Sequence, residues 1–414
     1  MRPEVVGAWS NVKYCLRPGS TVILSSCYCF VSFLSSSLDC RYVHFYVTLT
    51  MNCNLQCRYC YGKCVDDIGK PFPFDVDDNL STEMKYEVRD LAKFLSKDSD
   101  PTVIFYGGEP TLAIERMQLI MDSVPAKAYM MQTNGLLLHR LGVEYANRFD
   151  TILVSLDGDE RLTDYYRGGG TYRRVIENLK RMRSSGFRGE FIARMTVGLE
   201  TDIREAVNFL LFNEEFPFES VHWQLDAQFW RSDYEVERIR QWFENYNEGV
   251  RGLAEDWVTH IERKGRVSRV YPFIGIMESL LTGDISKLRC GAGWTEFNIQ
   301  TDGRITPCPV MAGMKSYYLG DIWKTEPRDL IDAVFVEKSC PSCSIHRICG
   351  GRCLYANATR LWGDEGFRIV CSTVESLVNI LMEVKPRILH MISKGIVSVS
   401  DFNYPKYNSC EIIP

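Results

Sequence analysis

Between Thr102 and Lys264 short apolar runs alternate with longer amphipathic ones, and this alternation restricts the fold more than any other feature of the chain. Strands are predicted at Val103–Tyr106, Ala128–Gln132, Thr151–Leu156, Glu190–Val197 and Ser220–Leu225, with one more upstream within Tyr42–Thr50. Helices are predicted at Ala113–Ser123, Leu136–Arg148, Tyr172–Ser184, Ile203–Asn213 and within Asp233–Lys264. An earlier helix is predicted to run to about Leu95, with Ser81 or Thr82 as its cap. Six strand–helix units with short connections imply a parallel sheet with helices outside it. The expected class is therefore α/β, a partial (β/α)6 TIM-like barrel open on one side. Sites in such barrels lie at the C-terminal ends of the strands.

Ten of the sixteen cysteines fall into two tight patterns. The first is Cys53-Asn54-Leu55-Gln56-Cys57-Arg58-Tyr59-Cys60, a C-x3-C-x2-C loop directly after the first strand. Three soft ligands on one loop can hold three corners of an iron–sulfur cube. The fourth iron is then left for a small molecule carrying an amine and a carboxylate. Zinc is the alternative, but structural zinc sites usually close with four ligands, and none with zinc-like spacing is obvious here, although Cys64 lies near. A second motif follows the next strand: Gly107-Gly108-Glu109-Pro110. Its glycines permit close approach of the backbone to a ligand, and Glu109 offers an acceptor for an ammonium.

The cysteine loop, with Tyr59 before the third thiol, and the Gly-Gly-Glu-Pro turn one strand later resemble the radical S-adenosylmethionine (radical SAM) superfamily. The resemblance implies a [4Fe–4S] cluster on Cys53, Cys57 and Cys60 that binds SAM. It places Tyr59 near the adenine and Gly107, Gly108, Glu109 and Pro110 around the methionine amino group. Ser155, at the end of the fourth strand, and Arg194, on the fifth, are expected to meet the cofactor's ribose or carboxylate. Asn134 is expected to line the same pocket, as is Gln224. Asp157 and Asp226, at strand ends, are candidate catalytic proton acceptors; the alternative for each is a plain loop cap. Arg167-Gly168-Gly169-Gly170-Thr171 looks like a phosphate cradle, but it lacks the Lys-Ser/Thr of a P-loop and reads instead as a flexible loop leading into a helix.

The second array is Cys290, Cys308, Cys340-x2-Cys343-x5-Cys349-x3-Cys353 and Cys371, with Gly303 in a hairpin turn before Cys308. Paired C-x2-C knuckles are also the mark of zinc ribbons. The full order resembles the SPASM extension of radical SAM enzymes. That resemblance implies two auxiliary [4Fe–4S] clusters, one closed by Cys340, Cys343, Cys349 and Cys371, the other held by Cys290, Cys308 and Cys353. Some relatives carry an eighth cysteine between the first two; this chain has none there. Glu296 lies in that gap as a possible oxygen ligand.

The expected organisation is an N-terminal extension over 1–40, poorly ordered or non-native; the barrel over 41–265; a bridging region over 266–288; the SPASM segment over 289–372; and a closing helix and tail over 373–414. That helix is predicted at Val374–Ile392, kinked or split at Pro386. Thr21–Ser37 is apolar enough to be read as a signal segment, but it is short for a membrane span, and an oxygen-sensitive cluster enzyme belongs in a reducing, cytoplasmic compartment. A net charge of −5 without a basic tract gives no sign of nucleic-acid binding. No membrane partner is expected.

The family's chemistry then implies reductive cleavage of SAM to a 5′-deoxyadenosyl radical, which abstracts a hydrogen from a peptide or protein substrate. The auxiliary clusters would carry electrons or bind substrate, and a ferredoxin or flavodoxin would be the electron donor. The sequence around Cys53 and Val221-His222-Trp223-Gln224-Leu225-Asp226 is similar to a peptide-modifying group known mainly from archaea. An anaerobic sulfatase-maturating (formylglycine-generating) activity and a non-catalytic electron carrier are the alternatives. Substrate recruitment is expected at the barrel mouth, at Glu235–Leu288, or through a separate partner protein.

Overall fold

The computed structural model describes residues 43–60, 74–226, 236–334, 336, 340–360 and 363–404. The extension 1–40, with Cys15, Cys27, Cys29 and Cys40, lies outside the described residues, as do residues 61–73, which include Cys64, and Cys410. The described residues all belong to one compact unit.

The barrel half is built from β1 (His44–Thr50), α1 (Val88–Leu95), β2 (Thr102–Gly107), α2 (Ile114–Ser123), β3 (Ala128–Thr133), α3 (Val143–Ala146) and β4 (Thr151–Ser155). There follow α4 (Glu160–Arg167), α5 (Thr171–Ser184), β5 (Glu190–Val197), α6 (Ile203–Phe212), β6 (Ser220–Leu225), α7 (Val236–Lys264), β7 (Arg269–Val270) and α8 (Tyr271–Thr282). The cysteine-rich part adds β8 (Glu296–Ile299), β9 (Arg304–Thr306), β10 (Gly320–Asp321), α9 (Pro327–Leu330), α10 (His346–Cys349), α11 (Leu354–Thr359) and α12 (Gly363–Ser393).

One sheet runs through all of it, in the order β10-β9-β8-β1-β2-β3-β4-β5-β6-β7. Neighbours from β8 through β1 to β7 are parallel, and β8–β9–β10 is antiparallel. The strands of the barrel are apolar and buried, with Phe45, Phe105, Ile152, Ile192 and Trp223 in the core. A parallel sheet covered by helices reads as near-continuous apolar runs for this reason. The cysteine-rich segment thus continues the barrel sheet, with His44 of β1 in register with Glu296 of β8.

Three expectations about local structure are corrected, and one helix is present that none of them covered. The helix predicted from Ser81 starts only at Val88, without a side-chain cap. Residues 82–84 are occupied otherwise: Met51 N–H donates to Thr82 O, Met84 N–H donates to Leu49 O, and Glu83 bridges Thr50. Backbone groups paired with the end of β1 cannot also make helix bonds. Leu136–Arg148 is a 3-10 turn at Leu138–Arg140 and the short α3, broken between them by Gly142 at φ 68°. Helix α4 was not foreseen; Asp159 caps it, accepting from Leu162 N–H. Finally, α12 begins at Gly363 and carries Pro386 within one 31-residue element. The helix is not split there: buried Leu377, Leu381, Val384 and Ile388 lie on both sides of the proline, and Arg387 pairs with Glu255 (2.6 Å) and Glu262 (2.8 Å) on α7.

Among the described residues no helix is long and apolar enough to cross a membrane.

Candidate active site

A cavity of ≈ 230 Å³ opens at the C-terminal ends of the barrel strands. Cys53, Cys57 and Cys60 line one side, and Gly107, Gly108, Glu109, Asn134, Ser155 and Arg194 line the others, with Tyr59 among them. Pro309 and Ala312, from the cysteine-rich segment, reach the same cavity. Pro110, Asp157 and Asp226 do not line it.

The cysteine loop is fastened to the Gly-Gly-Glu turn through backbone. Gly108 N–H donates to Thr50 O (2.8 Å) and Glu109 N–H to Asn52 O (2.9 Å). A Cβ on Gly108 would lie 2.3 Å from Asn52 O and 2.5 Å from Met51 O, and one on Gly107, at φ +152°, would lie 2.2 Å from Thr50 O. The close approach these glycines permit is to the cysteine loop's own backbone. Gly108→Ala is therefore expected to push Met51–Asn52 aside at about 1–3 kcal/mol of overpacking. Iron retained per chain should fall while the far-UV spectrum stays intact.

Glu109 is fully buried, and that burial raises its pKa against the opposing hydrogen bonds. Its Oε1 accepts from Thr111 N–H (3.0 Å), Thr111 Oγ1 (2.5 Å) and Thr133 Oγ1 (2.7 Å), and its Oε2 accepts from Asn134 N–H (2.7 Å). Asn134 in turn donates through Nδ2 to Asn54 Oδ1 (2.7 Å) on the cysteine loop. Thr133 was not singled out from sequence; its hydroxyl orients the carboxylate from a separate strand.

Beneath the loop lies a buried ion pair. Arg167, the last residue of α4, donates from Nε to Asp157 Oδ2 (2.8 Å) and from Nη2 to Asp157 Oδ1 (3.0 Å). Asp157 Oδ2 also accepts from Tyr59 Oη (2.7 Å), and Oδ1 from Thr196 N–H (3.0 Å). With every acceptor position occupied and no exposed surface, Asp157 is placed to hold Tyr59 and Arg167. Arg167 lies over the Tyr59 ring, 5.3 Å from its centroid. Burial pushes the Cys57 thiol's pKa up, and the Arg167 guanidinium pulls it down. The glycines after Arg167 form the corner between α4 and α5, where Asp164 accepts from Gly170 N–H (2.6 Å) and Tyr172 N–H (2.9 Å). Nothing in the sequence marks Arg167 apart from its place before three glycines; its partner lies ten residues back.

Ser155 and Arg194 are register neighbours on β4 and β5, with His222 beside Arg194 on β6. Arg194 is 8% exposed. It reaches His222 Nδ1 (3.4 Å) and donates to Gln224 Oε1 (2.8 Å). It has no ion pair among the described residues and so presents a buried cation to the cavity. Asp226 follows β6 and its N–H donates to Val197 O (3.0 Å).

The ten cysteines among the described residues are free thiols. Electrostatically, Cys53, Cys57 and Cys60 act on one another. Cys371 feels Cys349, Cys340 and Cys343, with Arg352 beside them. Cys290 feels Glu296, Cys353 and Cys308. Among the described residues no three His, Cys, Asp or Glu side chains converge as ligands of a single ion. The cysteine donors are sulfur, soft and suited to iron–sulfur clusters once ionised, so the residues fit such groups.

Residues 47–212 match the sequence model of the Radical SAM superfamily. Residues 47–212 are a radical SAM domain. Relatives of the chain that holds this domain include an uncharacterised protein of Methanothermobacter thermautotrophicus, 29% identical over 180 residues, covering 41% of this chain and 64% of that protein. Fe-coproporphyrin III synthase of Methanosarcina barkeri is 27% identical over 224 residues, covering 50% and 51%. The cysteine-type anaerobic sulfatase-maturating enzyme of Clostridium novyi is 22% identical over 369 residues, covering 78% and 91%. The chain thus spans 64% and 51% of the lengths of the first two. Among solved structures, native anSMEcpe with bound AdoMet superposes with a TM-score of 0.64 at 18% identity, covering 85% of this chain and 99% of that one. It has also been solved with AdoMet and the Cp18Cys peptide. At that identity the likeness is one of fold, and the fold of the radical SAM domain here is the radical SAM fold.

Proposed function

We propose that the chain is a radical SAM enzyme that modifies a peptide or protein, and that its cysteine-rich segment holds two auxiliary [4Fe–4S] clusters. The observation that carries this reading is the single cavity shared by Cys53, Cys57 and Cys60, the Glu109 carboxylate and the Arg194 guanidinium. When bound, the cluster and SAM supply one-electron cleavage of the sulfonium and a 5′-deoxyadenosyl radical that takes hydrogen from an unreactive C–H bond.

The protein's own part is to bind, orient and exclude water. Cys53, Cys57 and Cys60 hold three irons. Glu109, fixed by Thr111, Thr133 and Asn134, receives the methionine ammonium. Arg194 and Ser155, side by side, receive its carboxylate. Asp157 and Arg167 keep Tyr59 against the adenine side of the cavity. Ligands Cys340, Cys343, Cys349 and Cys371 close one auxiliary cluster; Cys290, Cys308 and Cys353 hold the other.

Arg194→Gln removes one charge-assisted contact, for which about 1.5–3 kcal/mol is usual. SAM is expected to bind roughly 10–100-fold more weakly, measured by equilibrium binding to anaerobic protein.

A peptide substrate is supported by the neighbour solved with a bound peptide. The sulfatase-maturating reading is favoured by the match of the Clostridium novyi enzyme over 78% of this chain. Anaerobic incubation with dithionite and SAM should yield 5′-deoxyadenosine; its absence would leave an electron carrier. Mass spectrometry of co-expressed candidate peptides separates the enzyme readings. A sulfatase-motif peptide converted to formylglycine identifies the second, and a changed mass on another peptide the first.

A further inference from the structure

We propose that Glu296 supplies the fourth ligand, a carboxylate oxygen, to the cluster held by Cys290, Cys308 and Cys353. The proposal rests on the auxiliary-cluster reading above and adds to it a donor that is not sulfur.

The chain between Cys290 and Glu296 is folded tightly back on itself. Gly291 O accepts from Trp294 N–H (3.0 Å), Thr295 N–H (2.9 Å) and Glu296 N–H (2.8 Å), and Ala292 bridges Glu296. A Cβ on Gly291, at φ +81°, would meet Glu296 Cγ at 2.9 Å. The glutamate side chain therefore lies directly against the residue after Cys290. It is 4% exposed, on a strand inside the ten-stranded sheet.

A buried carboxylate needs charge compensation or hydrogen bonds. His44 Nδ1 lies 3.3 Å from Glu296 Oε1, held there by strand register. Carboxylates that bind a metal are themselves held by hydrogen bonds from outer groups, and His44 is such a partner. Cys290, Cys308 and Cys353 are partly buried against one small apolar cluster, and thiolates and a carboxylate gathered near one another repel. An iron centre among them turns that repulsion into four bonds. Ligation changes no oxidation state: the carboxylate oxygen donates a lone pair to the iron that the three thiolates leave open.

The test uses the full chain with Cys53→Ala, Cys57→Ala and Cys60→Ala, reconstituted anaerobically with 57Fe, so that only auxiliary clusters remain. About eight irons per chain are expected. Mössbauer spectra should contain one iron site distinct from the thiolate-only sites; spectra with thiolate-type sites alone overturn the proposal without any further variant. Adding Glu296→Gln should release iron from one cluster, or leave a three-iron cluster visible by EPR after oxidation. Adding Glu296→Cys should restore about eight irons with altered EPR. A Gln variant with unchanged iron, EPR and Mössbauer spectra overturns the proposal. So does a Cys variant that fails to restore what the Gln variant loses, since that is the pattern of a purely structural His44–Glu296 pair. Parent protein that holds no iron overturns the cluster reading itself, a different failure.

Discussion

Cys57→Ala is expected to lose about four irons per chain and to bring 5′-deoxyadenosine formation to background, while the far-UV spectrum and the auxiliary iron are unchanged. Cys57 is the middle thiol of the loop, and Cys60 N–H donates to its carbonyl (3.1 Å). Cys57 lines the same cavity as Cys53, Cys60 and Arg167. Two remaining thiols cannot fix the orientation of a cube whose fourth iron must face SAM. The loop follows β1 without belonging to the sheet, so its loss leaves the barrel standing. Iron assay and chromatography of anaerobic reaction mixtures check both parts. A variant that still makes the nucleoside at the parent rate would show that the electron enters elsewhere.

Arg167→Met should destabilise the fold by about 3–5 kcal/mol, because it leaves the Asp157 carboxylate buried without its counter-charge. Asp157 is wholly enclosed and Arg167 nearly so, at 0% and 6% side-chain exposure. Combining Asp157→Leu with Arg167→Met should recover most of that loss, since a well-packed apolar pair can replace a buried ion pair. Denaturant unfolding of apo protein measures the stability. Iron retention measures the second consequence: Tyr59 loses its partner, so the double variant should stay folded yet hold the first cluster less firmly. Equal stability of Arg167→Met and the parent would mean that water reaches Asp157.

Much of the barrel was legible. Glu190–Val197 and Ser220–Leu225 are observed with the predicted limits, because apolar runs bounded by turn residues report burial directly. The cysteine loop and the Gly-Gly-Glu turn are local patterns and needed no tertiary knowledge. What escaped was set by contacts between distant segments. Ser81-Thr82-Glu83 carries the side chains of a helix start, yet its backbone is taken by Leu49 and Met51. The hydroxyl of Thr133 on Glu109, and the grip of Arg167 on Asp157 under Tyr59, depend on which strand ends meet. The parallel pairing of β8 with β1, about 250 residues apart, has no sequence signature.

That pairing also sets the terms on which the C-terminal third could be exchanged or removed. β8 shields one flank of β1, and β1 leads straight into Cys53. A chain shortened at residue 288 would bare a row of unmatched amides and carbonyls on an apolar strand, an invitation to self-association. Truncation would then show up as precipitate before it revealed anything about electron flow. Point replacement of individual ligands, with the scaffold kept whole, is the route by which the two halves of this protein can be told apart.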